Sequence, residues 1–410
     1  MSSNRWPPRA AWAFAACGAL HGVAAAQTAP PLETLLREAA APRLIVVDAE
    51  MRAAEGRAQQ ARARPNPTLD LQVENVGGSG PYHDFEAAET TLSIGQVLEL
   101  GGKRGARTAT ARAEFDTARS RAVLGRVAYA RDLVVAYATA EAASERLAAA
   151  RESHELAEAD ARAAQLLVDN GKEAELRALQ ARAAVSVAQA EVSRAEAELG
   201  GALARLGALT GGERTFTAVT PGALDRVWPA SSSNKAPTVA VAEAEQRVAT
   251  RKLDLEHRRA TPDVTVNFGV RRLAGEDATA AVAGFSLPLP LFDRNRGAVN
   301  AARAEADAAR ARLLMAQAEA IADRRRAEGE AGAAERSAAA AREGQVVARE
   351  AYRLARLGYE AGKLPLIELL AARRDLVSAR QRAIEARLAR AKALADLAQA
   401  NGQIAFEDTQ

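Results

Sequence analysis

Three histidines beyond the first 26 residues, His83, His154 and His257, are the side chains best suited to metal binding or acid–base chemistry. None is followed by a histidine or glutamate in the spacing of a zinc motif. Residues 101–104 (GGKR) resemble a phosphate loop but lack its upstream glycine and its following serine or threonine. We interpret these glycines as a turn and the basic pair as facing water or lipid headgroups. The sequence therefore predicts no enzyme, no metal site and no cofactor.

Acidic residues gather beside two short motifs, DNGK at residues 169–172 and EAGK at residues 360–363. Each motif predicts a turn between antiparallel helices, with Gly171 or Gly362 where a left-handed backbone is required. A ring of carboxylates around an opening favours cations. An ordinary solvated helix surface is the alternative, and the sequence leaves it open. The acids concerned are Glu173, Glu175 and Glu368.

A seven-residue apolar repeat predicts the elements that lead into these turns. Residues 298–357 carry one stripe: Val299, Ala306, Leu313, Ala320, Ala327, Ala334, Ala341, Ala348 and Ala355. Residues 107–167 carry its twin: Phe115, Ala122, Tyr129, Ala136, Ala143, Ala150, Ala157 and Ala164. A sustained repeat of this period predicts a helix that lies along other helices. About 60 residues make a rod of roughly 90 Å, too long for a compact domain.

The chain contains two copies of one module. Residues 65–71 (PNPTLDL) correspond to residues 262–268 (PDVTVNF), and the two turn motifs correspond at a similar offset. Each rod is accompanied by two shorter predicted helices. Together the two are about as long as one rod, which predicts end-to-end stacking in a helical wall of even height. The short helices are predicted at residues 43–62 and 173–209, and at residues 238–258 and 366–400.

Alternating apolar residues before each rod predict four strands in two hairpins, with loops at residues 77–88 and 271–281. Strands of about ten residues are long enough to cross an outer membrane in a barrel. Four strands cannot close a barrel, and an open edge is not tolerated in lipid, so we expect three copies to share twelve strands. The alternating residues are Leu69, Leu71 and Val73, then Leu92 and Ile94, then Val264, Val266, Phe268 and Val270, and finally Phe285, Leu287 and Leu289.

The first 26 residues have the pattern of an export signal. Arg5 and Arg9 precede an apolar stretch that ends in three alanines before Gln27. The single cysteine, Cys17, lies inside this stretch, and the sequence leaves its lipidation open. We divide the chain into a signal peptide (1–26), a first repeat (27–209), a linker (210–237), a second repeat (238–400) and a C-terminal tail (401–410).

Composition agrees with long, closely packed helices. Hydrophobic residues make up 48% of the chain but aromatic residues only 4%, so a thick globular core is not expected. The formal net charge is +3, which provides no basic field for nucleic acid. We therefore expect a mainly α protein with a small membrane β part and no nucleic-acid partner.

Four motifs resemble the outer-membrane efflux family typified by TolC, and the likeness covers the whole chain after the signal. The entry into the first rod is similar to the heavy-metal branch, the outer-membrane subunits of cobalt–zinc–cadmium exporters. The motifs are RPNP at residues 64–67, QVLELGGKR at 96–104, LPLPLFDRNRG at 287–297 and GYEAGKLPLIELLAA at 358–372.

This resemblance implies a homotrimeric channel in the outer membrane, whose α-helical barrel projects into the periplasm and continues into a shared twelve-strand β-barrel. Such a channel is a passive duct, here for heavy-metal cations. Its partners would be a periplasmic adaptor protein and an inner-membrane pump of the resistance–nodulation–division type. The turns that meet the adaptor would comprise Asp169, Asn170, Gly171, Lys172, Ala361, Gly362 and Lys363.

The resemblance also assigns an aperture at the turns. Tyr359 matches an aperture tyrosine and Glu368 an acidic lumen position, with Glu173 and Glu175 as further candidates. The pattern departs from the family at three positions, because Leu364 replaces an arginine and Ala371 and Arg177 replace acids. The known gate therefore does not transfer whole. Two other classes remain as alternatives, a periplasmic adaptor and a coiled-coil scaffold of an export system.

Overall fold

The computed structural model describes residues 27–37, 41–83, 85–212, 214–226 and 235–403. The predicted signal peptide with Cys17, most of the C-terminal tail and part of the linker lie outside these ranges. The helices are α1 (Leu32–Arg37), α2 (Pro42–Gln60), α3 (Lys103–Asp169), α4 (Glu175–Leu209), α5 (Pro237–Arg259), α6 (Arg296–Glu360) and α7 (Leu366–Ala400). The strands are β1 (Gln27–Ala29), β2 (Thr68–Glu74), β3 (Glu89–Leu98), β4 (Phe216–Val219), β5 (Val264–Leu273) and β6 (Ala278–Ser286).

Helices α3 and α6 are the two predicted rods, with 67 and 65 residues. At about 1.5 Å per residue each is roughly 100 Å long. No member of either seven-residue stripe is exposed, and Ala122, Ala164, Ala327 and Ala355 are buried. The stripes are therefore the packing faces of the rods. Their small side chains let neighbouring helix axes approach closely.

The shorter helices fill the wall as predicted. Helices α2 and α4 pack along α3 on one side, and α5 and α7 pack between α3 and α6. The order across one chain is thus α2 with α4, then α3, then α5 with α7, then α6. Because α5 and α7 touch both rods, the second repeat is bound to the first along its length. Helix α6 forms one margin of the wall, and α2 with α4 forms the other.

The four strands form one antiparallel sheet in the order β2-β3-β5-β6. Each predicted hairpin is present, and the central pairing of β3 with β5 joins the two repeats. The second hairpin differs from the prediction, because β5 continues to Leu273 and β6 begins at Ala278, both within the predicted loop at residues 271–281. Leu287 and Leu289, predicted in the last strand, lie beyond its end at Ser286. Its first residues are alanine and threonine, which carry little apolar alternation. Pro288 lies beyond the strand, where it removes no ladder hydrogen bond.

A small unit that the sequence did not predict packs against the middle of α3. Strand β1 pairs in parallel with β4, and α1 follows it. Leu35 of α1 joins Leu133 and Tyr137 of α3 in the largest buried apolar cluster. The Tyr137 hydroxyl donates to the Thr220 carbonyl at 3.0 Å and accepts from the Thr220 amide at 3.1 Å. Strands of three and four residues show no readable alternation, so only tertiary packing defines them.

Glu141 of α3 anchors the connection between the two repeats. It is 4% exposed, and its carboxylate accepts hydrogen bonds from the amides of Gly222, Ala223 and Leu224 at 2.8, 2.8 and 3.2 Å. Arg390 of α7 donates to the Leu224 carbonyl at 3.3 Å. A buried carboxylate with three donors is well compensated, so this segment is held against both repeats at mid-height.

Candidate functional site

Two turns form the far end of the wall, and they have the same backbone geometry. Gly171 and Gly362 have φ values of +66° and +69°, as the sequence predicted. The Lys172 amide donates to the Leu167 carbonyl at 2.9 Å, and the Lys363 amide donates to the Gly358 carbonyl at 2.8 Å. These six-to-one bonds close the helix ends in the Schellman pattern. All seven residues assigned to the turns are exposed: Asp169, Asn170, Gly171, Lys172, Ala361, Gly362 and Lys363.

The acids predicted near the opening lie at this end but differ in their surroundings. Glu173 is partly buried, and its carboxylate lies 3.9 Å from the Arg177 guanidinium. Glu175 and Glu368 are exposed in the first turns of α4 and α7. A carboxylate in the first turn of a helix also stabilises that helix through its dipole. The structure thus brings these acids to one end of the molecule without assembling them into a cluster within one chain.

Tyr359, the predicted aperture residue, is 4% exposed in the single chain. It packs with Ala164, Leu366 and Leu369 in an apolar cluster at the turn end. Its hydroxyl has no hydrogen-bond partner among the described residues. Burial raises the pKa of Tyr359, and the nearby negative charge of Glu173 adds to the rise. The side chain is therefore a neutral residue held between the two repeats.

The sheet at the opposite end has one apolar face, and that face is exposed. Two cross-strand rows carry it, Leu69–Ile94–Phe268–Ala283 and Leu71–Leu92–Val270–Ala281. Leu69, Leu71 and Phe268 are 70%, 67% and 65% exposed. An exposed apolar face of this size on a soluble protein would be a liability. It is suited to contact with lipid acyl chains.

The other face of the sheet is polar. Arg271 is its centre, with its guanidinium 2.8 Å from the Glu89 carboxylate and 3.4 Å from the Glu74 carboxylate. It also donates to the Thr91 hydroxyl at 2.9 Å. Apolar and polar residues therefore alternate between the faces, as in a sheet with lipid on one side and water on the other.

The glycine-rich run that resembles a phosphate loop is a structural junction. Gly101 and Gly102 have φ values of +66° and +72°, which confirms the predicted turn into α3. The prediction that both basic residues face water or headgroups was wrong for Lys103. Its ammonium group lies 2.8 Å from the Asp263 carboxylate and its side chain is 13% exposed. This ion pair ties the entry of the first rod to the start of β5 in the second repeat.

One feature of the histidines was missed in the sequence. Glu158 follows His154 by one helical turn, and the His154 Nε2 atom lies 3.9 Å from its carboxylate. Two such groups do not make a metal site. No group of three or more histidine, cysteine, aspartate and glutamate side chains in the described ranges is arranged to hold a metal ion. Among the helices that the structure describes, none combines the length and apolar character needed to cross a membrane.

Two further residues escaped sequence analysis. Asp160 of α3 and Arg373 of α7 form a buried ion pair of 3.0 Å near the turns. Each lies eleven positions from a turn glycine, Gly171 or Gly362. Because the two residues lie equally far from turns at the same end and carry opposite charges on apolar helix faces, the sequence could have predicted this ion pair.

These features define a class of protein, an outer-membrane export channel with a helical tunnel. Comparison with known proteins then identifies the family: the profile of outer membrane efflux proteins matches residues 36–212 and 228–403, and the chain belongs to this family. It is a channel protein of the outer membrane.

Named relatives extend the comparison. The chain is 46% identical over 392 residues to the nickel and cobalt resistance protein CnrC of Cupriavidus metallidurans, covering 94% of this chain and 93% of that protein. It is 43% identical over 392 residues to the nickel-cobalt-cadmium resistance protein NccC of Alcaligenes xylosoxydans xylosoxydans, covering 94% and 89%. The fold matches the MtrE outer membrane channel of Neisseria gonorrhoeae in its open state, with a TM-score of 0.77, 19% identity and coverage of 93% and 91%.

Proposed function

We propose that this chain is the outer-membrane duct of an exporter for divalent transition-metal cations. The observation that supports this cargo is the 46% identity to a nickel and cobalt resistance protein, extending over 94% of the chain. In this proposal the channel does not change the cation chemically. The channel contributes a path, lumen charge and a regulated opening, and the energy for transport comes from the inner membrane.

The margins of the wall support a homotrimer. Helix α6 at one margin exposes Leu357, Leu354 and Val347, which lie five, eight and fifteen residues before Gly362. Helix α4 at the other margin exposes Leu176, Leu179 and Val187, which lie five, eight and sixteen residues after Gly171. Because both helices rise about 1.5 Å per residue from turns at the same end, these side chains lie at matching heights.

The two margins also expose apolar residues at matching heights closer to the sheet. Helix α6 exposes Ile321, and α2 exposes Ile45 and Val46 at a similar distance from the turns. The Arg126–Asp48 and Arg43–Asp132 ion pairs fix the height of α2 beside α3. One margin of the wall therefore complements the other, as the head-to-tail contacts of a closed ring require. With three copies the four-stranded sheets supply twelve strands, enough for a closed barrel with its apolar face toward lipid.

The exposed turns are the proposed docking surface for a periplasmic adaptor protein, which connects the channel to an inner-membrane pump of the resistance–nodulation–division type. In this arrangement Tyr359, Glu368, Glu173 and Glu175 belong to the aperture. Membership of a channel family counts against the two alternatives from sequence, a periplasmic adaptor and a coiled-coil scaffold.

The cargo is tested by deleting the gene and measuring growth in graded nickel, cobalt, zinc and cadmium, and in graded dyes and antibiotics. We expect lower tolerance to the metals, restored by the full chain, and unchanged tolerance to the organic compounds. Sensitivity to dyes and antibiotics with normal metal tolerance would overturn the proposed cargo.

A further inference from the structure

Basic residues mark every point where the chain passes between the sheet and the helices. There are four such passages: before β2, after β3, before β5 and after β6. Each carries two basic residues near the end of the strand: Arg62 and Arg64, Lys103 and Arg104, Arg258 and Arg259, and Arg294 and Arg296. The end of the sheet from which the tunnel starts therefore carries a basic belt.

In the middle of the wall this charge is largely neutralised within the chain. Three of the four basic residues on α3 and α5 lie within 3.2 Å of a carboxylate: Lys103 of Asp263, Arg258 of Asp254 and Arg259 of Glu256. The fourth, Arg104, donates to the Arg62 carbonyl at 2.9 Å. These four side chains have their partners inside one chain.

At the two margins of the wall the charge is not neutralised. The four residues there are exposed, and none forms an ion pair with any residue that the structure describes: Arg62 and Arg64 after α2, and Arg294 and Arg296 at the start of α6. Residues 57–64 contain no acid. Residues 287–300 contain only Asp293, whose carboxylate accepts from the Asn295 amide at 2.8 Å.

Two of these arginines face the outer side of the wall. A cavity is lined by residues of four successive helices, α2, α3, α5 and α6, so it lies on the concave side that faces the lumen of a closed ring. Arg57 of α2 and Ala298 of α6 line it. The Arg62 amide still donates to the Gln59 carbonyl, so the helical path reaches this residue. Arg62 and Arg296 lie five and two residues from Arg57 and Ala298, or about 140° and 160° around each helix, and therefore face outward.

An apolar stretch at residues 287–292 lies beside these arginines. The side chains of Leu289, Leu291 and Phe292 are exposed there, and Phe292 is fully exposed. Pro288 and Pro290 have no amide hydrogen, so the stretch cannot continue the full hydrogen-bonded ladder of β6. Exposed leucine and phenylalanine next to arginine are typical of a segment at a membrane interface, with acyl chains on one side and headgroups on the other.

Ring closure would bring the two margins together at this level. The end of α2 and the start of α6 both adjoin the sheet, so Arg62 of one copy would lie beside Arg294 and Arg296 of the next. Like charges at one site repel each other. An anion removes this repulsion, and a guanidinium group binds phosphate through two parallel hydrogen bonds. The seam between copies is therefore suited to a phosphate group that lies next to acyl chains.

We propose that Arg62 of one copy and Arg294 and Arg296 of the next bind the headgroup of an anionic phospholipid, in the leaflet on the tunnel side of the membrane. The apolar stretch at residues 287–292 contacts the acyl chains of the same lipid. This inference rests on the proposed trimer. It gives the lipid a structural role, because the headgroup neutralises the seam and stabilises the contact between copies.

The test uses the full chain, purified as a trimer in a neutral detergent and supplied with cardiolipin, phosphatidylcholine or inorganic phosphate. Native mass spectrometry measures lipid retention, and gel electrophoresis after heating measures the temperature at which the trimer dissociates. We expect cardiolipin to be retained several-fold more than phosphatidylcholine, and cardiolipin alone to raise the dissociation temperature. Retention should fall in high salt, since the screening length is about 3 Å at 1 M.

Arg62→Gln/Arg296→Gln should lower cardiolipin retention several-fold and abolish the rise in dissociation temperature. The matched control is Arg205→Gln/Arg349→Gln, which removes from each margin one exposed arginine that lies farther from the sheet and has no ion pair among the described residues. This control should behave as the wild type does. Arg62→Lys/Arg296→Lys keeps the charge and should retain most of the lipid.

Equal cardiolipin retention in Arg62→Gln/Arg296→Gln and the wild type would overturn the lipid site, and so would equal retention of phosphatidylcholine. Inorganic phosphate that stabilises the trimer as well as cardiolipin does would indicate a site for free anions and would also overturn it. If the glutamine variant forms no trimer, the wild type decides, because retention that is unchanged in high salt contradicts the site. A wild-type chain that stays monomeric would instead contradict the proposed trimer, so the two failures are distinguishable.

Discussion

At the scale of single residues, exposure separates the aperture candidates into two kinds. Tyr359 is buried between the repeats, whereas Glu368 is exposed at the start of α7. A buried neutral side chain can act on the opening only by packing. An exposed carboxylate acts on ions directly, because its field reaches the aqueous path.

Replacement of Glu368 by alanine should reduce cation conductance and weaken block by divalent cations, since one negative charge per subunit leaves the opening. The measurement is single-channel recording in bilayers with mono- and divalent salts. Glu319→Ala is the control, because it removes the same charge from an exposed position on α6 in the half nearer the sheet. Unchanged conductance and block in Glu368→Ala would remove this residue from the aperture.

At the scale of elements, the connection between repeats is defined by its anchor rather than by regular structure. Residues 222–224 form no helix or strand, yet the backbone amides of all three donate hydrogen bonds to the buried Glu141 carboxylate. Glu141 does for this segment what a helix cap does for a helix terminus. One carboxylate of α3 therefore satisfies three backbone donors of the segment, and Arg390 satisfies the Leu224 carbonyl.

Replacement of Glu141 by glutamine should loosen this connection without unfolding the rods. Glutamine has one acceptor oxygen in place of two, so buried amides lose partners at a cost of about 1–3 kcal/mol. Hydrogen–deuterium exchange at residues 222–224 should accelerate by roughly tenfold or more. Exposed Glu198 on α4 provides the control, Glu198→Gln. Equal protection in both variants would show that the anchor does not hold this segment.

At the scale of the whole molecule, the proposed assembly depends on the two margins of the wall. The apolar residues on α6 are exposed in the single chain, and α4 and α2 carry matching residues on the opposite margin. A ring of copies would bury both margins and close the sheet at the same time. In the proposed trimer, assembly and membrane insertion would therefore depend on the same contacts.

Replacement of Leu354 by glutamate should prevent this closure, because it brings a charge against Leu179 of the next copy. We expect monomers in place of trimers by sedimentation in detergent, with helix content unchanged by circular dichroism. The control is Arg349→Glu, which places a glutamate at an exposed position five residues, or about 140° of helix rotation, from Leu354. A trimer that tolerates Leu354→Glu as well as Arg349→Glu would contradict the proposed contact.

The sequence by itself determined the elements whose patterns are long. Sixty residues with an apolar position every seventh can only be a helix packed lengthwise, and two copies with glycine turns at equal ends define a wall of even height. The alternation of Leu69, Leu71 and Val73 likewise determined a strand with one apolar face. The four family motifs then indicated the class of function, an outer-membrane efflux channel.

Tertiary structure alone decided where distant residues meet. Nothing local places Asp160 against Arg373, or Glu141 against residues 222–224, because each contact joins segments dozens to hundreds of positions apart. The strands β1 and β4 and the start of β6 were also decided by tertiary structure. Strands β1 and β4 are too short to show an alternating pattern, and β6 begins with alanine and threonine, whose small side chains give little apolar alternation. Periodicity determines which face of an element is buried, whereas the partners on that face depend on the assembled fold.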